Sequence, residues 1–226
     1  ILTVWGADRT VFRKQAKEFH DVGDHASFVR FDRKQLIQKI LLNSLYGVLL
    51  LPSFRFYDRE NGESTTLTGQ TLVQWSAMVG NTFYQKQMKI DTYIDYCIYQ
   101  DTDSCFFQAL PLINSRYSDN EFTENELVEK TLEIAKEVET LINKSYEVYA
   151  KRYHNVTNHT WRIKQEMVGK RAFWGQAKKR YAMWIINKNG MVVDELEIKG
   201  FDVVRSSFPK AFRKIMKEII IDVLDD

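Results

Sequence analysis

The 226-residue chain carries 32 Lys and Arg against 30 Asp and Glu, a net charge of +2, with 44% apolar and 13% aromatic residues. That balance excludes a disordered or low-complexity chain, and the length allows one large domain or two small ones around a substantial core. No apolar run approaches a membrane span, the N-terminus has no secretory pattern, and the two cysteines, Cys97 and Cys105, lack metal-ligand spacing. No membrane partner is expected, and the cysteines read as buried free thiols in a reducing cytoplasm.

In chain order, residues 9–19 have helical spacing, and Asp21-Val22-Gly23-Asp24 supplies a turn. A second helix is predicted over 31–46, with Leu36, Ile37, Ile40, Leu41 and Leu45 buried and Gly47 as its stop, so the two helices form an α-hairpin. Residues 54–57 look extended. Asn61-Gly62 reads as a turn, and Ser64 or Thr65 as the cap of a helix reaching Lys89. Two strands, over 93–99 and 105–107, flank Asp101-Thr102-Asp103-Ser104 and make a hairpin across which, if it is tight, Cys97 and Cys105 could face each other loosely.

A long helix follows over 124–149, with Leu127, Val128, Leu132, Ile134, Ala135, Val138, Leu141 and Ile142 on its apolar side. Strands are predicted over 162–168, 173–174 and 180–186, and Asn189-Gly190 is a hairpin turn. A last helix is capped by Ser207, with Pro209 in its first turn. The fold class is α+β: an antiparallel sheet backed by long helices, with an α-hairpin projecting from it.

Charge is unevenly distributed. Residues 161–181 hold Arg162, Lys164, Lys170, Arg171, Lys178, Lys179 and Arg180 against the single acid Glu166, a footprint for phosphates. Residues 119–139 hold Asp119, Glu121, Glu124, Glu126, Glu129, Glu133, Glu137 and Glu139, and read as a solvated face.

Asp101 and Asp103 crowd two carboxylates onto one hairpin tip. Like charges that close raise each other's pKa unless a cation sits beside them, and Mg²⁺ with oxygen ligands suits such a site. Taken alone, the tetrapeptide is equally ordinary turn chemistry. Arg13 and Lys17 lie four residues apart on the first helix, and Lys39 and Asn43 repeat that spacing on the second, with Tyr46 and Gly47 beyond. On antiparallel helices Arg13, Lys17 and Lys39 could converge on a polyphosphate; singly, each is also a common surface cation.

Lys39-Ile40-Leu41-Leu42-Asn43-Ser44-Leu45-Tyr46-Gly47 resembles motif B of family B DNA polymerases, and Tyr99-Gln100-Asp101-Thr102-Asp103-Ser104 resembles their motif C. Lys178-Lys179-Arg180-Tyr181 is similar to the family's duplex-gripping motif, and Arg13-Lys14-Gln15-Ala16-Lys17 to its first fingers helix. Within the family, Phe54-Arg55-Phe56-Tyr57-Asp58, Gly69-Gln70 with Gln74-Trp75, and Ser206-Ser207-Phe208-Pro209-Lys210-Ala211 are similar to the replicative polymerases of T-even-like phages.

The resemblance implies a fingers α-hairpin over 1–48 and a palm over 49–226. The palm would contain a carboxylate hairpin (93–108), a duplex-binding strip (161–186) and a helix (208–224) leading to a thumb. It implies template-directed nucleotidyl transfer by a two-metal mechanism, with Mg²⁺ (Mn²⁺ as substitute) held by Asp103 and, more weakly, Asp101. Arg13, Lys17 and Lys39 would hold a deoxynucleoside triphosphate, and Asn43 and Tyr46 would line the nascent base pair and sugar. Lys178, Lys179, Arg180 and Tyr181 would grip primer-template DNA. Glu166 aligns with a carboxylate near the metals, and is equally an ordinary strand carboxylate in a basic strip.

Two departures matter. Gln100 stands where motif C has Gly, so it either takes ordinary β geometry or shifts the tip. Nothing in the chain resembles motif A, the source of another metal carboxylate; Asp8 lacks its context, and exonuclease and thumb parts are missing. With no Met before Ile1, the chain reads as a fragment or processed piece. The expected partners are therefore a companion polypeptide supplying motif A and those parts, with a sliding clamp among those the resemblance admits, in the cytoplasm of an infected host if phage-encoded. The alternative is a catalytically silent nucleic-acid-binding scaffold. An unrelated phosphotransferase would need a Gly-rich phosphate loop, which the sequence lacks.

Overall fold

Two long helices open the fold, α1 (Leu2–Asp21) and α2 (His25–Leu49), in a computed structural model that describes residues 2–117 and 121–225. Both run beyond the predicted limits. Gly23 turns the chain between them at φ +76°, and the Asp24 carboxylate caps α2 by accepting from the Ser27 N–H at 3.1 Å. The helices meet through aromatic rings: Phe19 stacks on Phe31 at 5.4 Å and Phe12 lies 6.3 Å from the same ring, with Ala16 buried. The predicted apolar face is not the buried one, since Leu36, Ile37, Ile40 and Leu41 are all exposed. Phe28 and Phe31 take the inner side because rings bury more area per residue than the aliphatic stripe beside them. Gly47 does not stop α2, which continues to Leu49 and ends with the Leu50 N–H on the Gly47 carbonyl.

Residues 54–57 are not extended. They form successive turns, with the Phe54 N–H on Leu51 and the Tyr57 N–H on Phe54, both at 2.9 Å. Asn61-Gly62 is no turn either, because α3 (Arg59–Met88) has already begun, and Asp58 accepts from the Asn61 N–H at 3.0 Å. Two compact units, Ile1–Thr71 and Leu72–Asp226, divide inside α3, at a place other than the 48/49 junction expected above.

The second unit holds β1 (Cys97–Asp101), β2 (Ser104–Phe107), α4 (Leu110–Arg116), α5 (Glu124–His154), β3 (Met167–Trp174), β4 (Tyr181–Lys188), β5 (Met191–Lys199) and α6 (Lys210–Asp225). β1 and β2 form one antiparallel sheet, and β3-β4-β5 another in that order. The fold class is thus α+β, with helices predominating and both sheets antiparallel. α5 opens on a Thr123–Glu126 capping box and buries Ile134, Val138, Ile142 and Tyr146, one helical face, against Tyr84, Leu112 and Ile113. α6 closes a second core with Ile220 and Leu224 against Ala182 and Val203.

Several strand limits move. Residues 93–96 precede β1 instead of belonging to it. Residues 162–166 are held by α5 side chains in place of a strand partner: Asn143 bonds both the N–H and the C=O of Ile163 at 2.9 Å, and Glu139 accepts from the Gln165 N–H at 2.9 Å. Glu139 and the ion-paired Glu137 are therefore not a merely solvated face, and Asp119 lies outside the described residues. The hairpin at Asn189-Gly190 forms as expected, with φ +54° and +82°. α6 starts at Lys210, later than expected. The Pro209 carbonyl accepts from the Arg213 N–H at 3.1 Å, so Pro209 precedes the first turn and Ser207 is not the cap.

Candidate active site

The β1–β2 hairpin pairs Asp101 with Ser104 and Gln100 with Cys105, leaving Thr102 and Asp103 as the turn. Gln100 thus sits in ordinary strand geometry, and the turn takes the strain at Thr102, whose φ is +53°. The Asp103 N–H and the Ser104 hydroxyl both donate to the Asp101 carbonyl, at 2.6 and 3.0 Å. The Asp103 side chain is exposed and makes no hydrogen bond among the described residues.

Asp101 is committed elsewhere. Its carboxylate is ion-paired with the Lys179 ammonium and accepts from the Thr102 hydroxyl at 2.9 Å. The hydrogen bond from Lys179 holds the carboxyl below the usual carboxylate range. Lys179 also donates its backbone N–H to the Tyr99 hydroxyl at 3.2 Å, from a left-handed backbone at φ +62°. Gly200 makes that position possible, because a Cβ there would lie 2.1 Å from the Lys179 carbonyl oxygen. Below this contact, Tyr99 and Phe106 pack on Trp174 and Tyr181, ring to ring at 5.7 to 6.4 Å. Tyr181 is buried and donates its hydroxyl to Glu197 at 2.9 Å, while the Lys199 ammonium lies 5.3 Å from its ring centre.

Asn81 sets where the hairpin starts. Its side-chain oxygen accepts from the Tyr96 and Cys97 N–H groups, both at 2.9 Å, and its amide donates to Asp95 at 2.6 Å. Beneath the tip, the Cys105 thiol donates to the Val73 carbonyl at 3.6 Å, and the interaction between the two thiols lowers the Cys97 pKa and raises that of Cys105. Both cysteines are free.

A cleft of about 1070 Å³ opens beside the hairpin, lined by Asp103, Ser104, Cys105, Glu166, Lys170 and Arg171 among others. Asp103 and Glu166 both line this cleft. Glu166 is exposed, and its carbonyl accepts from the Asn189 N–H at 2.7 Å. No group of three or more His, Cys, Asp or Glu among the described residues could hold a metal ion. The hard oxygen donors of Asp101 and Asp103 suit Mg²⁺ chemically, yet they make only part of a cage.

Lys178 is exposed and Arg180 half-buried on the connection before β4. In the first unit, Arg13 and Lys17 on α1 and Lys39, Asn43 and Tyr46 on α2 are all exposed; the three cations make no ion pair among the described residues. Sequence reasoning missed Asn81, Glu197, Lys199 and Gly200. A polar Asn beside Gly80 in an otherwise apolar stretch of α3 was the available signal for Asn81, and nothing local marked the others.

A family model described as DNA polymerase family B matches residues 1–226. Among curated proteins, the chain is 32% identical over 203 residues to the DNA-directed DNA polymerase of Enterobacteria phage T4, covering 85% of this chain and 22% of that protein. It is 29% identical over 204 residues to the DNA-directed DNA polymerase of Escherichia phage RB69, with 85% and 22% covered. The DNA polymerase alpha catalytic subunit of Xenopus laevis is 24% identical over 202 residues, with 88% and 11% covered. The chain spans about a fifth of the length of the two phage relatives (22% of each).

Proposed function

Because this chain belongs to DNA polymerase family B, we propose that it supplies the fingers and much of the palm of a DNA-directed DNA polymerase. Its substrates would be primer-template DNA and deoxynucleoside triphosphates, as the names of its relatives suggest. The observation that carries this reading is the Lys179–Asp101 contact, which fastens the carboxylate hairpin to the basic Lys178-Lys179-Arg180-Tyr181 segment. Two sequence motifs 78 residues apart thereby form one surface.

In this reading Asp103 and Asp101, with Glu166 nearby, would hold Mg²⁺ or Mn²⁺. The bound ions would lower the pKa of the primer 3′-hydroxyl and offset charge on the departing pyrophosphate. Arg13, Lys17 and Lys39 neutralise the triphosphate by charge-assisted bonds, and their freedom from ion pairs leaves them available. Asn43 and Tyr46 line the nascent base pair, and the bulk of Tyr46 disfavours a 2′-hydroxyl. Lys178, Arg180 and Tyr181 position the primer backbone without reading its sequence. Lys179 serves first as the partner of Asp101, and would join them at the same backbone.

The remaining carboxylate comes, we propose, from a polypeptide segment carrying motif A, along with exonuclease and thumb parts. The cleft supports this. β2 and β3 each leave one edge unpaired among the described residues, and residues of both line it. On its walls, buried Gln165 Nε2 and Trp174 Nε1 lack acceptors, which carbonyls of an added strand would supply. A sliding clamp belongs to the same proposal. So does action in the cytoplasm of an infected cell; no helix among the described residues is long and apolar enough to cross a membrane.

Primer extension tests the reading. The chain combined with a motif A segment should extend a primer with Mg²⁺, and Asp103→Asn should abolish extension while leaving the melting temperature unchanged, since that side chain makes no hydrogen bond. Full activity in Asp103→Asn overturns the assignment. The commitment of Asp101 to Lys179 favours a second reading, a silent nucleic-acid-binding scaffold. That reading requires binding of DNA by the assembled protein with no divalent-ion dependence through Asp103.

A further inference from the structure

Between α2 and α3 the chain makes a loop whose central ring serves no core. Phe56 is 64% exposed and joins none of the buried apolar clusters among the described residues. A lone exposed ring is ordinary on a protein surface, but three further features set this one apart.

The loop is held rigidly. The Leu51 N–H donates to Val48 at 3.1 Å, the Phe54 N–H to Leu51 and the Tyr57 N–H to Phe54 at 2.9 Å, and the Asp58 N–H returns to Leu49 at 2.9 Å. Leu50 packs so closely on α3 that a Cβ at Gly62 would lie 2.4 Å from its side chain. The ring is also oriented: Phe54 meets it at 5.8 Å and 70°, and the Arg55 guanidinium lies 5.4 Å from its centroid. Finally, Arg55 is exposed and makes no ion pair among the described residues, so its charge stays available to a phosphate.

An exposed ring at fixed orientation beside an unpaired guanidinium suits a single strand, because bases stack on aromatic faces whatever their sequence while cations take the backbone. With the loop already ordered, stacking costs little further side-chain entropy. The loop folds back onto the last turn of α2, the helix of Asn43 and Tyr46, and lies in the same compact unit.

We propose that Phe56 and Arg55 form a binding site for single-stranded DNA, with an unpaired base stacked on the Phe56 ring and a neighbouring phosphate on the Arg55 guanidinium. DNA as the ligand rests on the polymerase reading above, but neither nucleotide transfer nor a metal ion enters the readout.

The test is fluorescence anisotropy of the folded 226-residue chain, without divalent ions, on labelled oligothymidylate of about 12 nucleotides and on an abasic strand of equal length and charge. Phe56→Ala should weaken oligothymidylate binding about tenfold and leave abasic binding unchanged. Phe56→Leu, which keeps apolar bulk but removes the ring, should behave as Phe56→Ala does, with circular dichroism checking both folds. Arg55→Gln should weaken binding of both strands and lower the salt slope by about 0.7. No binding of oligothymidylate, or binding by Phe56→Ala as tight as that of the unaltered chain, would overturn the proposal; a ring covered by protein instead of DNA gives that second result. Primer extension without binding through Phe56 overturns this inference alone, whereas binding through Phe56 without extension counts only against the catalytic reading.

Discussion

Lys179 touches the hairpin twice, through its ammonium on the Asp101 carboxylate and through its backbone N–H on the Tyr99 hydroxyl. One residue of the β3–β4 connection thus fixes both ends of the last three residues of β1. A cation provided by the fold therefore offsets part of the charge crowding that made the carboxylate pair notable in the sequence.

Removing that cation is the first prediction. In Lys179→Met the Asp101 carboxyl should titrate closer to its ordinary value of 3.8, followed by carbon-detected NMR of the side chain. Amides 101–104 should exchange faster with solvent. Lys179→Arg should keep much of the shift, because the charge persists although the geometry changes. An unmoved Asp101 titration in Lys179→Met would remove Lys179 as the cause.

Asn81 is 1% exposed and satisfies two backbone donors at the start of β1. Asn81→Ala leaves the Tyr96 N–H buried and unpaired, at about 1–3 kcal/mol, and the Cys97 N–H with only its 3.2 Å bond to Asp95. Urea unfolding should show a loss of about 1–3 kcal/mol, and the hairpin amides should lose protection before those of α5. Asn81→Asp should be no milder at neutral pH, since it keeps the accepting oxygen but sets a buried carboxylate against that of Asp95, to which the Asn81 amide donates at 2.6 Å.

Gly200→Ala tests the close approach behind Lys179. The glycine has φ +71°, and the new methyl would meet backbone, which cannot swing aside as a side-chain tip can. A loss of about 1–3 kcal/mol is expected, together with a change at Asp101 like that in Lys179→Met. Loss of stability without any change at Asp101 would show that the two contacts are uncoupled.

Arg116 ties three helices together, with both guanidinium nitrogens on Glu137 at 2.8 Å and one on Gln87 at 3.1 Å. This pairing holds the Glu137 carboxyl below its ordinary 4.5. A carboxylate whose pKa is depressed by folding stabilises the fold above the unfolded-state value and loses that contribution as pH falls through the folded one. The stability gap between the unaltered chain and Arg116→Gln should therefore be constant above about pH 5 and shrink below it. With Glu137 half-exposed, the plateau should not exceed about 1 kcal/mol. A gap that widens in acid would contradict the sign.

Periodicity made α5 legible, because its apolar side repeats every three to four residues for eight turns and little competes with that signal. The Asn189-Gly190 hairpin was legible because its backbone angles demand those residues. Between 93 and 96 and again between 162 and 166, β-rich composition misled, since side chains of Asn81, Asn143 and Glu139 replaced the strand partner. No local pattern announces a buried Asn reaching across 15 residues. The buried face of α2 failed for a related reason: that helix is apolar on more than one side, and only the rings on α1 decide which side turns inward. Among site residues, spacing gave the carboxylates and cations their identities, whereas the pairing of Lys179 with Asp101 needed the third dimension.

β3 loses register twice within four residues, around Gly169, while Lys170 and Arg171 stand exposed there. Irregular, positively charged borders of this kind resist indiscriminate strand addition, because a flat incoming strand cannot match the kink and meets like charges from another copy. The same border then acts as a lock against aggregation through this edge.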